Sequence, residues 1–444
     1  MNYRFLTLAT LTATLVASTA SAQLKPPQQP RPDWGIFGSG VSNTAQKLIL
    51  TASFGGGLED DLSKPVPPVE GVEPLPVYTG PFSSAGATLK YSVEKSSVNG
   101  DLQFGAYGRN YKDMTDPFVG TYSGSGNLNF AFGQRASLST SYYAGQYLQN
   151  LSPMGGGSGI PGAPPTPGSP GVFTTGDTYR GFGASAGYNH NLTAKLALTA
   201  GYSYYANDSW SSDSSDKPYD SQFVNAGLRY SLGHGLGLRA GYGTTIGGFG
   251  STGSSTDFHS RTIDAGVDYN KSLSLTRKST LSFGTGLSGV TDQADTIHYY
   301  FVGHADFSHE IGRSWSLQAN VSRSTNFYQT LGEPTVSDSL GASMGGLIGR
   351  RVTVQTGLSA WRGAAVGTGE NVYTSANAYG SVRFALNRVL GVSASYSYYR
   401  YIFSDDVVAP PPGFNQRTAS QSVVFSLDVF APLYTQARRP NASR

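Results

Sequence analysis

A set of charged and titratable residues stands out, because each lies on the polar face of a segment in which apolar and polar residues alternate. They are Lys90, Arg109, Arg229, Arg239, Asp264, Asp268, His304, Asp306 and Arg383. Arg229 and Arg239 are symmetric about a turn at His234, so a hairpin would bring them together. If this face lines an aqueous lumen, basic and acidic groups on opposite sides create a transverse field that filters solutes by charge. The alternative is that these residues form salt bridges that brace the wall.

The histidines form no catalytic or metal-binding motif. No H-E-x-x-H or comparable spacing occurs among them. His304, Asp306 and Ser308 share one parity, but residues two apart on a strand stand about 7 Å apart, which is too far for a hydrogen-bond relay. The sequence therefore predicts a protein that is not an enzyme and that has no cofactor or metal centre.

Tyrosines cluster toward one end of the alternating segments and divide by parity. One set shares the parity of the apolar face: Tyr142, Tyr202, Tyr204, Tyr299, Tyr396 and Tyr398. Rings with an apolar body and a polar tip favour the lipid headgroup level, so this set predicts an aromatic girdle. A second set has the parity of the polar face: Tyr143, Tyr205, Tyr300 and Tyr399. The second set could contact sugars inside a lumen or belong to the girdle, and the sequence does not decide between these two roles.

The elements that position these residues are strands, because the sequence has a period of two. Between positions 120 and 133 the even residues are Tyr122, Gly124, Gly126, Leu128, Phe130 and Phe132. The odd residues are Thr121, Ser123, Ser125, Asn127, Asn129 and Ala131. One face is apolar and the other is small and polar, as alternation in a strand requires.

Composition indicates which class of β protein this is. The 444 residues are 38% hydrophobic and only 13% charged, with 28 tyrosines and 22 phenylalanines. That is too few charges for the surface of a soluble domain and too many aromatics for a disordered chain. A membrane barrel explains both, because one face of its sheet meets lipid and the other meets water. A net charge of +3 does not indicate a nucleic-acid partner, and the absence of cysteine excludes disulfides and thiolate metal sites.

Segment length and spacing specify the topology. The alternating segments run about 13 to 15 residues, whereas soluble sandwich strands run about 5 to 6. Tight turns alternate with longer polar links. The predicted fold is an all-β transmembrane antiparallel up-and-down β-barrel of about 18 strands, with short periplasmic turns, longer extracellular loops and both termini in the periplasm. The first strand, near Thr44–Leu58, is followed by a long, proline-rich link, and without this strand the even strand count would require the loss of another.

The chain divides into four parts. Residues 1–22 are a predicted secretory signal peptide, with Arg4, the apolar stretch Phe5 to Ala17 and an A-x-A site that ends at Ala22. A membrane anchor is disfavoured, because the apolar run is too short. Residues 23–43 are a Pro/Gln-rich segment, predicted to be flexible and periplasmic. Residues 44–432 are the predicted barrel, and 433–444 a C-terminal periplasmic tail.

This pattern resembles that of bacterial outer-membrane β-barrels, particularly porin-like barrels, over nearly all of the mature chain. The resemblance is one of pattern without a diagnostic motif. It implies insertion in the outer membrane of a Gram-negative cell, with outer-membrane lipid and the barrel assembly machinery as partners. Such barrels usually end on an aromatic residue that this machinery reads. Here residues 435–444 follow the last aromatic, Tyr434, so an internal signal within Phe425 to Phe430 is implied instead.

The favoured function is a porin-like channel for passive passage of hydrophilic solutes, because small polar residues dominate the predicted lumen face and barrels of about 16 to 18 strands enclose a channel. One alternative is the outer-membrane component of polysaccharide secretion (exopolysaccharide or capsule), with residues 23–43 as a docking segment. Another is a surface structural or adhesion barrel. The link Gln149–Asp177 could constrict the lumen, although its Gly/Pro-rich composition favours a surface loop. Whether the barrel forms a homo-oligomer stays open.

Overall fold

The computed structural model of the chain is a closed antiparallel β-barrel of 18 strands. It describes residues 35–39, 44–61, 79–95, 97–112, 118–131, 135–146, 178–209, 219–233, 235–249, 256–272, 278–291, 296–328, 333–366, 371–403 and 417–437. The link 149–177 and the signal peptide lie outside the described residues. Within the described ranges no helix is long and apolar enough to cross a membrane.

The strands follow one another along the chain with regular lengths. Their bounds are β1 Thr44–Asp61, β2 Gly80–Glu94, β3 Val98–Tyr111, β4 Phe118–Ala131, β5 Arg135–Gln146, β6 Thr178–Asn191, β7 Leu196–Ser209, β8 Tyr219–Gly233, β9 Leu236–Phe249, β10 Thr256–Ser272, β11 Ser279–Thr291, β12 Ile297–Ile311, β13 Trp315–Tyr328, β14 Glu333–Ile348, β15 Val352–Ala365, β16 Asn371–Ala385, β17 Leu390–Phe403 and β18 Arg417–Ala437.

Each strand pairs with its neighbours in the sequence, and the ring closes where β1 pairs with β18. The β1–β18 ladder runs from Thr44 opposite Ala437 to Asp61 opposite Ser420. On its other edge β1 pairs with β2, so the predicted first strand is present despite the long link that follows it. The up-and-down 18-strand fold expected from the sequence is confirmed.

Short turns lie at one end of the barrel and longer links at the other. The turn after β14 and the turn after β12 each contain a glycine with positive φ, Gly349 at 64° and Gly312 at 65°, a conformation that glycine adopts without a steric penalty. After β16, the Asn387 side chain accepts hydrogen bonds from the backbone N–H groups of Val389 and Leu390, at 2.7 Å each. Such turns allow the tight antiparallel connections that the sequence predicts.

The two faces of the wall differ as the alternation predicts. Large apolar side chains of one parity are exposed, for example Phe54, Phe104 and Phe425 at 55%, 59% and 62%. Side chains of the opposite parity, such as Thr88 and Gln103, are buried. An apolar belt of this extent is far larger than soluble proteins expose, and it marks a lipid-contact surface.

The barrel begins at Thr44, as the sequence predicts, and differs from the prediction at its carboxyl-terminal boundary. Strand β18 continues to Ala437 instead of ending near 432, so the start of the predicted tail pairs with the first residues of β1. The ladder continues because β1 already begins at Thr44 and supplies backbone partners. Gly35 to Ser39, the described part of the predicted 23–43 segment, is hydrogen-bonded to the barrel.

Candidate functional site: the lumen

Four of the predicted lumen residues come together on β8, β9 and β10; we call Arg229, Arg239, Asp264 and Asp268 the central charge cluster. Arg239 Nε donates to Asp264 Oδ2 at 2.7 Å, and Arg239 Nη1 donates to Asp268 Oδ1. Arg229 Nε lies 3.7 Å from Asp268 Oδ2. The side chain of Arg239 is only 7% exposed, so its guanidinium lies against the wall between two carboxylates.

Glycines on β11 make room for this arrangement. A Cβ atom added at Gly284 would lie 2.8 Å from Arg239 Nη1 and 2.6 Å from His304 Cε1. One added at Gly286 would lie 2.8 Å from Asp264 Oδ1. Any larger residue at these positions would displace the charged groups. Sequence reasoning missed both glycines, although glycines two apart on the polar face of β11 were the available signal.

The ion pairs of the central charge cluster bear on the choice between a charge filter and salt bridges that brace the wall. Two arginines and two aspartates sum to zero net charge, and they lie on neighbouring strands instead of facing one another across water. An arginine held within hydrogen-bond distance of both acids braces the wall and creates little transverse field. The structure therefore favours the salt-bridge alternative over the charge filter for these four residues.

A second buried cluster lies at the extracellular end, where Arg109 and Tyr111 of β3 meet Glu59 of β1. Arg109 Nη1 and the Tyr111 hydroxyl each donate to Glu59 Oε2 at 2.5 Å. The guanidinium of Arg109 also lies over the Phe82 ring, 4.3 Å from its centroid. The Arg109 and Glu59 side chains are 1% and 5% exposed. Because the cluster joins β1, β2 and β3 beside the β1–β18 ladder, we infer that it stabilises the closure of the barrel.

Replacing Arg109 with glutamine is expected to lower the free energy of unfolding by about 3 kcal/mol, because it leaves a buried carboxylate without its cationic partner. The matched control is Lys90→Gln. Lys90 pairs with Asp101 at 3.6 Å, but both side chains are about one-third exposed, so this loss is expected to cost under about 1 kcal/mol. Urea unfolding in detergent micelles measures both. Equal effects of the two variants would contradict the structural role of the buried pair.

The remaining predicted lumen residues are Arg383, His304 and Asp306, and Arg383 makes a hydrogen-bonded ion pair. Arg383 Nε donates to Asp428 Oδ2 at 2.7 Å. His304 Nε2 lies 4.0 Å from Asp306 Oδ2, a distance beyond a hydrogen bond. Among the described residues, no group of three or more potential ligands is placed to hold a metal ion.

Residues Gly35 to Ser39, which we call the mouth segment, lie against the short-turn end of the barrel. Ile36 N–H donates to the carbonyl of Arg350 at 2.8 Å, and Gly38 N–H donates to the carbonyl of Arg388 at 2.9 Å. These carbonyls belong to the turns after β14 and β16. The segment is thus fixed to two turns, between β14 and β15 and between β16 and β17, on the β18 side of β1.

One side chain of the mouth segment points to the lumen face of β16–β18. The Phe37 ring makes an edge contact with Phe430, with centroids 5.9 Å apart, and lies 5.1 Å from the guanidinium carbon of Arg383. A Cβ at Gly391 would lie 3.2 Å from Phe37 Cδ2, so this glycine gives the ring its space. Phe430 and Gly391 share the lumen face with Asp428. The segment therefore occupies part of the periplasmic opening.

The tyrosine sets lie on the faces that their parity predicts, while their roles stay predictions. In the girdle set, Tyr142, Tyr299 and Tyr396 are exposed at 46%, 57% and 41%. Two others contact neighbours: the Tyr202 hydroxyl donates to Gln222, and Tyr204 packs on Phe182. Tyr398 is half-buried.

In the lumen-parity set, the Tyr205 and Tyr399 side chains are half-buried, and Tyr300 packs against the buried cluster of Val290, Val336 and Val366. The Tyr143 side chain lies outside the described residues. Tyr300 therefore has a packing role that parity alone did not predict.

Comparison with solved structures returns outer-membrane barrels at low similarity. OccK3 (OpdO) of Pseudomonas aeruginosa has 12% identity and a TM-score of 0.42, over 88% of this chain and 96% of that chain. OccK2 (OpdF) of the same organism, in complex with glucuronate, has 13% identity and a TM-score of 0.40, over 90% and 100%. The FrpB iron transporter of Neisseria meningitidis has 10% identity and a TM-score of 0.43, over 88% and 82%. No family model and no curated protein matches the chain. The fold assignment therefore rests on the closed strand order.

Proposed function

We propose that the protein is an outer-membrane channel for passive passage of hydrophilic solutes. The observation that carries the proposal is a closed ring of 18 strands with an apolar outer face and a lumen face of small polar residues. A barrel of this strand number encloses a lumen wide enough for water and small solutes. The predicted signal peptide supports export to the outer membrane.

The charges suggest which solutes pass. The ion pairs of Arg239 and Arg383 neutralise their own acids on the wall. A lumen whose charges cancel locally discriminates weakly between cations and anions. Uncharged hydrophilic solutes, including sugars, are therefore the class that fits best.

One observation favours the alternative of a secretion barrel that depends on a partner. The mouth segment is bound across part of the periplasmic opening through Phe37. A periplasmic partner that withdrew the segment would widen the opening at the end where a polysaccharide would enter.

Purified protein in a planar lipid bilayer is expected to show stable conductance steps with a reversal potential near zero in a KCl gradient. The expected result follows from an open lumen with locally cancelled charges. Silence of the full-length protein, followed by conductance once residues 35–39 are removed, would contradict a free-standing channel and support the secretion barrel. A liposome-swelling assay with neutral sugars provides the solute test on the same preparation.

A further inference from the structure

Two arginines flank one aspartate on the outer face of the barrel. Asp338 of β14 lies opposite Arg323 of β13 on one side and opposite Arg362 of β15 on the other. The face is the lipid-facing one, because Leu340 and Val321, each two residues away on the same parity, are 47% and 52% exposed. Arg323 Nε lies 3.3 Å from Asp338 Oδ1, with side chains 53% and 50% exposed. The row carries a net charge of +1.

A third outward arginine lies beside this row. Arg400 of β17 is exposed and shares the parity of Tyr396. Its neighbours on the adjacent strands are Ala376 and Ala419, which carry no charge. Three guanidinium groups therefore share this sector of the outer face with one carboxylate.

The tip of the β11–β12 hairpin lies directly above the arginine row. The β12–β13 ladder runs from Gly303 opposite Arg323 to Ile311 opposite Trp315; beyond it, β12 continues to pair with β11. Val290 near the hairpin tip packs against Val336 and Val366. Val336 has the outward parity of Asp338.

A polar contact supports the same placement. Ser288 Oγ of β11 lies 3.1 Å from Thr325 Oγ1 of β13, and Thr325 has the outward parity of Arg323. The hairpin tip thus packs on the outer face of β13–β14, next to the arginines on the side of the long loops.

This placement limits the depth at which the arginines lie in a bilayer. An arginine on the lipid face costs about 2–4 kcal/mol at the bilayer midplane and about 0–1 kcal/mol near the interface. Since short turns are periplasmic in such barrels, the row faces the headgroup level of the outer leaflet. Guanidinium groups bind phosphate through paired, charge-assisted hydrogen bonds.

We propose that Arg323, Arg362 and Arg400 form a binding site for the phosphorylated headgroup of an outer-leaflet lipid. The acyl chains lie along the apolar belt below, where Leu340 and Leu358 are exposed, and the hairpin tip covers the headgroup from above. Asp338 competes with the phosphate for the two flanking arginines. The inference rests on the membrane insertion proposed above but not on conduction.

Native mass spectrometry of the detergent-solubilised protein tests the site, with bisphosphorylated lipid A, its monophosphoryl form and inorganic phosphate as probes. The bisphosphorylated lipid is expected to bind most tightly. The double variant Arg323→Gln/Arg362→Gln is expected to weaken it at least about tenfold, which corresponds to about 1.4 kcal/mol. Asp338→Asn is expected to strengthen it. The matched control is Arg261→Gln, which removes an exposed arginine of outward parity on β10, beyond the hairpin.

Three results would overturn the proposal. The first is retention of the lipid by the double variant as tightly as by the wild type. The second is an equal loss of lipid binding in the Arg261→Gln control. The third is displacement of the lipid by millimolar inorganic phosphate, which would make this a site for soluble anions. Because Asp338→Asn retains both arginines, it decides the question even if the double variant does not fold. A channel that fails to conduct while this binding persists would separate the lipid site from the transport proposal.

Discussion

Replacing Arg239 with glutamine is expected to make the channel cation-selective and to destabilise the barrel by about 3 kcal/mol. The side chain is 7% exposed and contacts Asp264 and Asp268 together. Without it, two aspartates face only Arg229, so the central charge cluster changes from neutral to a net charge of −1. Reversal potentials in a KCl gradient measure the selectivity, and urea unfolding in micelles measures the stability.

The control is the double variant Arg239→Gln/Asp264→Asn, which restores neutrality to the cluster. Its reversal potential is expected to return to the wild-type value, since one carboxylate and Arg229 remain. Gly284→Ala tests the same arrangement by a different change, because its methyl group would displace the guanidinium of Arg239 without changing the charge of the cluster. If Arg239→Gln leaves the reversal potential unchanged, the cluster does not line the conducting path.

Replacing Phe37 with alanine is expected to release the mouth segment and to increase the single-channel conductance. The change removes the edge contact with Phe430 and the contact with the Arg383 guanidinium, which together are worth about 1–3 kcal/mol. With its anchor weakened, the segment leaves the periplasmic opening for a larger fraction of time. Single-channel recording in planar bilayers gives the step size directly.

Gly391→Val tests the same contact from the barrel side, because its side chain would fill the space that the Phe37 ring occupies. Its matched control is Gly380→Val on the neighbouring strand β16, where an added Cβ meets no atom within 4 Å. The first variant should conduct like Phe37→Ala and the second like the wild type. Identical conductance in all four proteins would show that the mouth segment does not obstruct the path.

The fold was accessible from sequence because each face of a barrel strand meets a uniform solvent. Alternation such as Leu128 and Phe130 against Asn127 and Asn129 reports that contrast directly. The turn signals then fix strand order, since an up-and-down barrel permits few other topologies. The ends of the strands were harder to predict from the sequence. Thr435 and Gln436 of β18 pair with β1 through their backbone groups, and backbone hydrogen bonds place little constraint on the type of side chain.

The candidate site was predictable only in part. Parity placed Arg239 and Asp268 on the lumen face, but their pairing depends on the register of adjacent strands and on the space above Gly284 and Gly286. The position of the Phe37 ring depends on contacts between residues more than 300 positions apart in the sequence, such as Phe37 and Phe430. The tip of the β11–β12 hairpin covers part of the outer face of β14, so residues of the same parity on β14 meet lipid at one height and protein at another. The alternation of residue types along the strand could not reveal this overlap.

The ladder between β1 and β18 has a consequence for biogenesis. It is longer than any other ladder among the described residues, and its two strands are separated by more than 350 positions in the sequence. Loop-closure entropy must therefore be overcome before these contacts form. Until β18 pairs with it, β1 presents an unpaired hydrogen-bonding edge, which is a potential site of aggregation. We therefore expect the unpaired edge of β1 to need protection by folding factors until β18 pairs with it.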